Sequence, residues 1–279
     1  MRSKGIGGVL STALLLATPC GASAHAVTPD QAAVAQALRG TQASAVVLDW
    51  KTGAVLASAG EPRRGSPGSA IKPLFLEYAL EHAIVRPDME VYCRRNLHVS
   101  TRALPCTHPS DQPVFAAESA LAESCNTWFA ELARRFSGPQ LEAALQAAHL
   151  QHQSMATATV DQRQLAVLGL NRVTASPAEL ARAYRDLLIR LPPQSTVERG
   201  LEESVTFGMA HGAALAGIKI LGKTGTASDT GQAWTHGWFA GGIPGRLIIV
   251  IYVPDSDGGT AATLAHRFFE AIRRQGSPQ

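Results

Sequence analysis

The chain has 279 residues, 25 of them basic and 22 acidic, which gives a formal net charge of +3. Its hydrophobic fraction of 46% is enough for a substantial buried core. The charge balance lacks the strong basic excess of nucleic-acid-binding proteins, so we expect no nucleic-acid partner.

The N-terminus predicts an export signal. Basic residues precede an apolar run from Ile6 to Ala17, and Ala22-Ser23-Ala24 offers the small residues that a signal peptidase recognises. The run is shorter than the roughly 20 residues of a transmembrane helix. We therefore predict a signal peptide at residues 1–24, a single domain at 25–279, and a periplasmic or extracellular location after cleavage.

The first part of the exported chain predicts a helix, a hairpin and a second helix. The short helix is expected over residues 29–39, and the hairpin runs from Ala45 to Leu56. Nearly every position from Ile71 to Ile84 is apolar, which indicates a helix buried on most sides. Because proline is tolerated only in the first turn of a helix, Pro73 places Ser69 at the N-terminus of this helix.

Three cysteines follow the predicted signal peptide: Cys93, Cys106 and Cys125. The first two bracket an irregular loop that a crosslink would stabilise, and exported proteins meet an oxidising compartment. We therefore expect a Cys93–Cys106 disulfide, with no metal and no cofactor. The alternative is a metal site that uses Cys93, Cys106 and His108, with His98 as a further ligand, although this spacing matches no established zinc pattern.

The rest of the chain predicts helices followed by strands. Helices at 114–123, 127–136, 139–149 and 177–190 form a helical subdomain at roughly 85–205. Strands at Lys219–Ala227, Thr235–Gly241 and Leu247–Val253 precede a closing helix at Thr260–Arg274. The predicted fold class is α/β (α+β): an antiparallel sheet built from both chain ends, flanked by helices, with an all-helical insertion.

The segment Ser69-Ala70-Ile71-Lys72 has the arrangement of a serine nucleophile and its base. Residues three apart at a helix start direct their side chains toward the same space. Burial and a second cation, for which Lys223 is the candidate, would lower the pKa of Lys72 and free it to act as a base. The backbone N–H groups at the helix start can stabilise an oxyanion.

Two further motifs complete a predicted acyl-transfer site. Ser124-Cys125-Asn126 falls between two predicted helices, where Ser124 can relay protons and Asn126 can bind a substrate carbonyl. Lys223-Thr224-Gly225-Thr226 lies on a predicted strand. Its ammonium and hydroxyl groups suit a substrate carboxylate, Gly225 allows close approach of another element, and the Thr226 N–H is a second oxyanion donor.

A phosphate-loop pattern overlaps the last motif, from Gly217 to Thr224. A phosphate loop is a turn that leads from a strand into a helix. Here Ile218–Leu221 is itself strand-like and no helix is predicted after Gly225-Thr226. We therefore expect no nucleotide ligand.

Taken together, these motifs and their flanks resemble the transpeptidase domain of penicillin-binding proteins, members of the serine penicillin-recognising superfamily. The resemblance extends over roughly residues 44–272 and is carried by the following segments: Pro67–Pro73, Ala120–Phe129, Val173–Pro177, Leu180–Tyr184, Gly222–Ala227 and His236–Gly241. It implies a β-lactamase/transpeptidase-like fold and an acyl-enzyme formed on Ser69. It also implies D-Ala-D-Ala peptidoglycan stem peptides as substrates of a transpeptidase or carboxypeptidase, and β-lactams as ligands.

Two alternatives stay open at this point. A class D-like β-lactamase fits the size, the secretion and the strand Trp238–Gly241. Asn126 tells against it, because that class usually has a valine at this position, beside a carboxylated lysine. The second alternative is a non-catalytic penicillin-binding sensor or scaffold, against which the intact Ser69, Lys72 and Lys223 argue.

Overall fold

A computed structural model describes Met1 and residues 28–109, 111–229 and 235–276. Apart from Met1, the predicted signal peptide lies outside the described residues. Within the described ranges, no helix combines the length and the apolar character needed to cross a bilayer.

The described chain contains helices and strands with these bounds. The strands are β1 (Ser44–Asp49), β2 (Val55–Ala59), β3 (Val91–Tyr92), β4 (His98–Val99), β5 (Arg102–Ala103), β6 (Val114–Phe115), β7 (Gln151–His152), β8 (Val173–Thr174), β9 (Leu221–Ala227), β10 (His236–Ile243) and β11 (Leu247–Val253). The α-helices are α1 (Pro29–Ala37), α2 (Lys72–Glu81), α3 (Ala117–Ala122), α4 (Asn126–Arg135), α5 (Gly138–Ala147), α6 (Val160–Val167), α7 (Pro177–Leu188), α8 (Thr196–Thr206) and α9 (Gly258–Gly276). Short 3₁₀ turns lie at Gly68–Ile71 and His211–Ala213.

A five-stranded antiparallel sheet of order β2-β1-β11-β10-β9 forms the centre of the fold. The first two strands come from the start of the chain and the other three from its end. The pairing of β1 with β11 joins them, with Val46 opposite Val250. The predicted fold class is therefore confirmed.

Two hydrophobic clusters cover the two faces of the sheet. Alternate side chains of a strand point to opposite faces. Along β11, Ile249 and Ile251 accordingly belong to a cluster with α1 and α9, whereas Ile248 and Val250 belong to a second cluster with α2 and α7. All seven residues of β11 are buried, as expected for a central strand covered on both faces. The second cluster continues into the helical part of the chain and contains the region around Ser69.

Several predicted elements differ from the observed ones. The helix expected from Ile71 begins as the 3₁₀ turn Gly68–Ile71, so Ser69 lies in this turn and the α-helix starts at Lys72. The helix expected from residue 114 starts at Ala117, because Val114–Phe115 pairs with β3. The helical insertion is not all-helical: it also contains the two-stranded ladders β3–β6, β4–β5 and β7–β8. Each ladder is only two residues long, too short to produce an alternating pattern in the sequence.

Tyr184 of α7 ties the helical part to the turn that carries Ser69. Its hydroxyl donates to the Ala70 carbonyl at 2.6 Å, and both residues are fully buried. The Tyr184→Phe variant would leave that carbonyl buried without its donor, which costs about 1–3 kcal/mol. We expect a lower urea midpoint with an unchanged m-value. Tyr92→Phe, at a tyrosine that is 66% exposed, is the control; equal midpoints for the two variants would contradict the assignment.

Candidate active site

The residues singled out by the three motifs come together at one cavity of about 460 Å³. Six of them line it: Ser69, Ser124, Asn126, Thr224, Gly225 and Thr226. The other two, Lys72 and Lys223, are fully buried. Parts of the chain more than 150 positions apart in sequence thus meet around Ser69.

Ser69 and Lys72 occupy the two ends of one helical turn. The Lys72 N–H donates to the Ser69 carbonyl, which closes the 3₁₀ turn. In such a turn the side chains at i and i+3 eclipse each other, so the two side chains project from the same side. Ser69 is partly exposed to the cavity, whereas Lys72 is enclosed.

The Lys72 ammonium has three hydrogen-bond acceptors. Its Nζ donates to the Ser124 carbonyl at 2.9 Å, to Ser124 Oγ at 3.2 Å and to Asn126 Oδ1 at 2.7 Å. It also lies 5.0 Å from the centre of the Phe129 ring. Burial lowers the pKa of Lys72 from 10.5 to about 8. A substantial neutral fraction near physiological pH gives this lysine the chemistry of a base.

The turn between α3 and α4 holds Ser124 in an unusual backbone conformation. Ser124 has φ 56°, in the left-handed region that non-glycine residues adopt only where their surroundings stabilise it. Two backbone hydrogen bonds provide this support: Ser124 N–H donates to the Leu121 carbonyl, and Cys125 N–H to the Ala120 carbonyl. The turn directs the Ser124 hydroxyl toward Lys72 and into the cavity.

Asn126 joins Lys72 to the loop that follows β5. Its Oδ1 accepts from Lys72, while its Nδ2 donates to the Leu104 carbonyl at 3.3 Å and to the Pro105 carbonyl at 3.1 Å. The expected contact with a substrate carbonyl would thus compete with these two acceptors. The side chain acts first as a link between the lysine and the loop.

Lys223 and its neighbours lie on β9, at the edge of the sheet. Lys223 Nζ donates to the Thr224 carbonyl at 3.3 Å. Burial and the positive charge of Lys72 lower the pKa of Lys223 well below its usual value. Thr224 Oγ1 donates to the Met209 carbonyl at 3.1 Å, whereas Thr226 Oγ1 accepts from Gly258 N–H at 2.9 Å, a bond that does not use the Thr226 hydroxyl proton.

Two glycines allow β9 to pass close to the Ser69 turn. A Cβ on Gly225 would lie 2.3 Å from the Pro67 carbonyl oxygen and 2.8 Å from the Ala70 nitrogen. Gly68 has φ +54°, and a Cβ there would lie 2.6 Å from the Thr226 carbonyl oxygen. The backbone of Thr226 therefore lies directly against the turn that carries Ser69.

Sequence reasoning missed two charged residues of this region. Arg102, on β5, lines the cavity and donates to Asn171 Oδ1 and Ser228 Oγ, both at 3.4 Å. Glu123 is buried directly before Ser124, and its negative charge acts on Lys223. An arginine in a loop without a periodic pattern gave no signal. The sequence identifies Glu123 only as an acidic residue at the end of a predicted helix, which does not indicate a role in the site.

The phosphate-loop pattern does not form a phosphate loop. Leu221–Thr224 is extended and pairs with β10, and the strand continues to Ala227 with no helix after Gly225-Thr226. A phosphate loop would require the turn and helix that are absent from this described segment.

A model of the penicillin-binding protein transpeptidase domain matches residues 43–194. The chain belongs to this family. The matched range contains Ser69, Lys72, Ser124 and Asn126, and the Lys223–Thr226 strand follows it in the sequence. Transpeptidase domains of this kind perform serine acyl transfer in peptidoglycan synthesis. Among curated proteins, none matches the chain.

Solved structures share the fold of this transpeptidase domain. The D,D-transpeptidase domain of a peptidoglycan glycosyltransferase from Eggerthella lenta has a TM-score of 0.77 and 19% identity, covering 89% of this chain and 82% of that chain. A peptidoglycan glycosyltransferase from Burkholderia ambifaria has a TM-score of 0.75 and 18% identity, and the match covers 89% of this chain and 96% of that chain. The transpeptidase domain of penicillin-binding protein 3 from Burkholderia pseudomallei has a TM-score of 0.75 and 17% identity, and the match covers 89% of this chain and 93% of that chain.

The close approach of β9 to the Ser69 turn generates a testable prediction. The Gly225→Ala variant must separate the two elements, since its Cβ would lie 2.3 Å from a backbone oxygen. We expect the free energy of unfolding to fall by about 1–3 kcal/mol, the usual effect of overpacking. The control is Gly212→Ala, whose Cβ would meet nothing closer than 3.4 Å. Chemical denaturation compares them, and equal stability would show that β9 adapts without strain.

Proposed function

We propose that the protein is an exported serine acyl-transferase that acts on D-Ala-D-Ala stem peptides of peptidoglycan and binds penicillin covalently through Ser69. The observation that carries this proposal is the buried Lys72, one helical turn from Ser69 and in direct contact with Ser124 and Asn126. Family membership supports the reaction class. Penicillin-binding transpeptidase domains lie outside the cytoplasm, which agrees with the predicted signal peptide.

The first half of the reaction forms an ester on Ser69. The Ser69 hydroxyl attacks the carbonyl of the penultimate D-Ala while neutral Lys72 takes its proton. The N–H groups of Ser69 and Thr226 stabilise the oxyanion. Ser124, hydrogen-bonded to Lys72, passes a proton to the nitrogen of the terminal D-Ala, which leaves as an amine. A β-lactam reacts in the same way, except that its ring opens and no group departs.

The second half of the reaction releases the peptide. A peptide amine or water attacks the ester carbonyl, gives its proton to the Lys72–Ser124 pair, and Ser69 leaves with a proton from the same pair. An amine acceptor makes the enzyme a transpeptidase, and water makes it a carboxypeptidase. Both uses of the ester are compatible with this set of groups.

The terminal carboxylate of the substrate is assigned to the β9 side of the cavity. Thr226 is exposed there and has a hydroxyl proton to donate. Lys223 and Thr224 adjoin it on the same strand, and Gly225 lets the Ser69 turn pack closely against that strand. Arg102 lines the same cavity and supplies a guanidinium for the bound carboxylate.

The cavity lining argues against the β-lactamase alternative. Rapid deacylation requires a base that activates water, such as a carboxylated lysine or a glutamate. In the described part of the chain, no aspartate or glutamate lines the cavity. The polar groups around Lys72 favour proton relay and disfavour a carbamate, which forms in apolar surroundings. A non-catalytic sensor or scaffold would not require this arrangement of Lys72 and Ser124.

The assignment of the nucleophile is tested by intact-mass spectrometry after treatment with benzylpenicillin. We expect one adduct, which maps to the peptide that contains Ser69. Ser69→Ala should lose it completely, because the attacking hydroxyl is gone. The control Ser58→Ala, at an exposed serine of β2, should keep it. An adduct of unchanged yield in Ser69→Ala would refute the proposal.

Turnover distinguishes a peptidase from a β-lactamase. A chromogenic cephalosporin should give a burst equal to the enzyme concentration and then a very slow steady state, because the opened ring stays attached to Ser69 beside the Lys72–Ser124 pair and no carboxylate of the described residues lines the cavity to activate water. Synthetic peptides ending in D-Ala-D-Ala should be cleaved or transferred. Sustained turnover of the cephalosporin, especially turnover stimulated by bicarbonate, would instead identify a β-lactamase.

A further inference from the structure

Four potential metal ligands meet beneath the active site. Cys93, Cys106, His108 and Cys125 are all buried, and their ligand atoms lie within 4.8 Å of one another. The structure shows no disulfide between Cys93 and Cys106, and all three cysteines of the described residues are free. This differs from the pairing expected from the sequence, because a third thiol and an imidazole share the same space.

The distances within this cluster fit a tetrahedral metal centre. The Cys106 and Cys125 sulfurs are 3.8 Å apart, and Cys93 Sγ lies 3.4 Å from His108 Nε2. Bonds of about 2.3 Å from zinc to sulfur and about 2.0–2.1 Å to nitrogen place two sulfurs about 3.8 Å apart, and a sulfur and a nitrogen about 3.5 Å apart. A disulfide would need about 2.05 Å between two sulfurs.

The surrounding chain holds these ligands in place. Cys93 N–H donates to the Pro113 carbonyl, and Cys106 N–H donates to the Arg95 carbonyl, both at 2.8 Å. Thr127 Oγ1 lies 3.8 Å from Cys93 Sγ and 3.7 Å from Cys106 Sγ. Such contacts fix the orientation of ligands around a protein-bound metal.

The His108 ring is fixed in the same way. It packs on Phe115, with ring centroids 4.8 Å apart, and the backbone carbonyl of His108 accepts from Arg95 Nη1 at 3.0 Å. The imidazole nitrogen that faces Cys93 is therefore held toward the centre of the cluster.

We propose that Cys93, Cys106, His108 and Cys125 bind one Zn²⁺ ion in a closed structural site. Three sulfurs and one imidazole at tetrahedral spacing are a typical ligand set of structural zinc, and four protein ligands leave no position for a substrate. Each thiol that binds as a thiolate releases its proton to solvent. Zinc replaces the crosslink that the disulfide was expected to provide across the loop from Cys93 to Cys106.

The site also positions the catalytic groups. Cys125 stands between Ser124 and Asn126, both of which contact Lys72. The loop that carries Cys106 and His108 also supplies the Leu104 and Pro105 carbonyls that accept from Asn126. A metal that joins Cys125 to this loop therefore fixes both partners of Lys72, and this positioning role rests on the proposed function.

Metal content tests the site without reference to activity. The full chain, purified from zinc-supplemented culture and dialysed, should contain about one zinc per chain by elemental analysis. His108→Gln and Cys93→Ser should lose it. His98→Gln is the matched control: His98 is an exposed histidine on β4, between Cys93 and Cys106, and its variant should keep the metal. Equal zinc in His108→Gln and His98→Gln would mean adventitious binding and would overturn the proposal.

Wild-type protein decides the question if the variants fail to fold. Chelator treatment under reducing conditions should remove the zinc and expose the thiols of Cys93, Cys106 and Cys125, and cobalt(II) should then bind in equal amount with the absorption of a tetrahedral thiolate complex. A Cys93–Cys106 disulfide in the untreated protein, mapped by peptide mass spectrometry, would overturn the site. Failure of the reduced apo-protein to bind zinc or cobalt would do the same.

The positioning role has its own readout. Removing zinc should lower the rate of acylation at Ser69 by roughly 10–100-fold, since a misplacement of about 1 Å costs about 100-fold, and adding zinc back should restore it. An unchanged rate would refute the positioning role. Ser69→Ala should retain full zinc. Protein that binds zinc but is not acylated by penicillin would therefore contradict the proposed function alone. Protein that is acylated but is purified without zinc and binds none when zinc is added would contradict the metal site alone.

Discussion

A fully buried ammonium group organises this active site. Lys72 has no solvent to hydrate it, and an unpaired buried charge would be very costly. Its acceptors come from Ser124 and Asn126, which belong to a turn more than 50 residues away in sequence. The need to satisfy this one cation therefore fixes the position of the α3–α4 turn relative to α2. The same contacts that stabilise the lysine also place a hydroxyl beside it, at the position that the proposed proton transfer requires.

The second constraint is the narrow gap between β9 and the 3₁₀ turn. Gly225 and Gly68 remove the side chains that would fill it, and the turn is also held by Tyr184 from below. The oxyanion donors proposed here come from the two elements that meet at this gap. Their spacing is set by the close packing of the two backbones. The sheet and the helical part of the chain thus each contribute one half of the site.

The sequence identified the motif residues that meet at the cavity, but not all of the elements that hold them in place. The eight predicted site residues lie in three short motifs along the chain, so they could be found without a structure. Helices α6 and α8 were missed, since α6 has only eight residues and α8 carries threonine, valine and an internal glycine that weaken its helical signal. Arg102 and Glu123 were missed because their roles depend on contacts between distant segments.

The cysteines show most clearly that a local sequence pattern does not reveal contacts between distant segments. Cys93 and Cys106 bracket one loop, and that local view favours a disulfide between them. Cys125 belongs to another motif, and only the fold places its sulfur 3.8 Å from that of Cys106. The α3–α4 turn that presents Ser124 to Lys72 buries the Cys125 thiol on its other side. The hydroxyl of the proposed proton relay and the sulfur of the proposed metal ligand are therefore positioned by one turn, so the two sites share their main structural support.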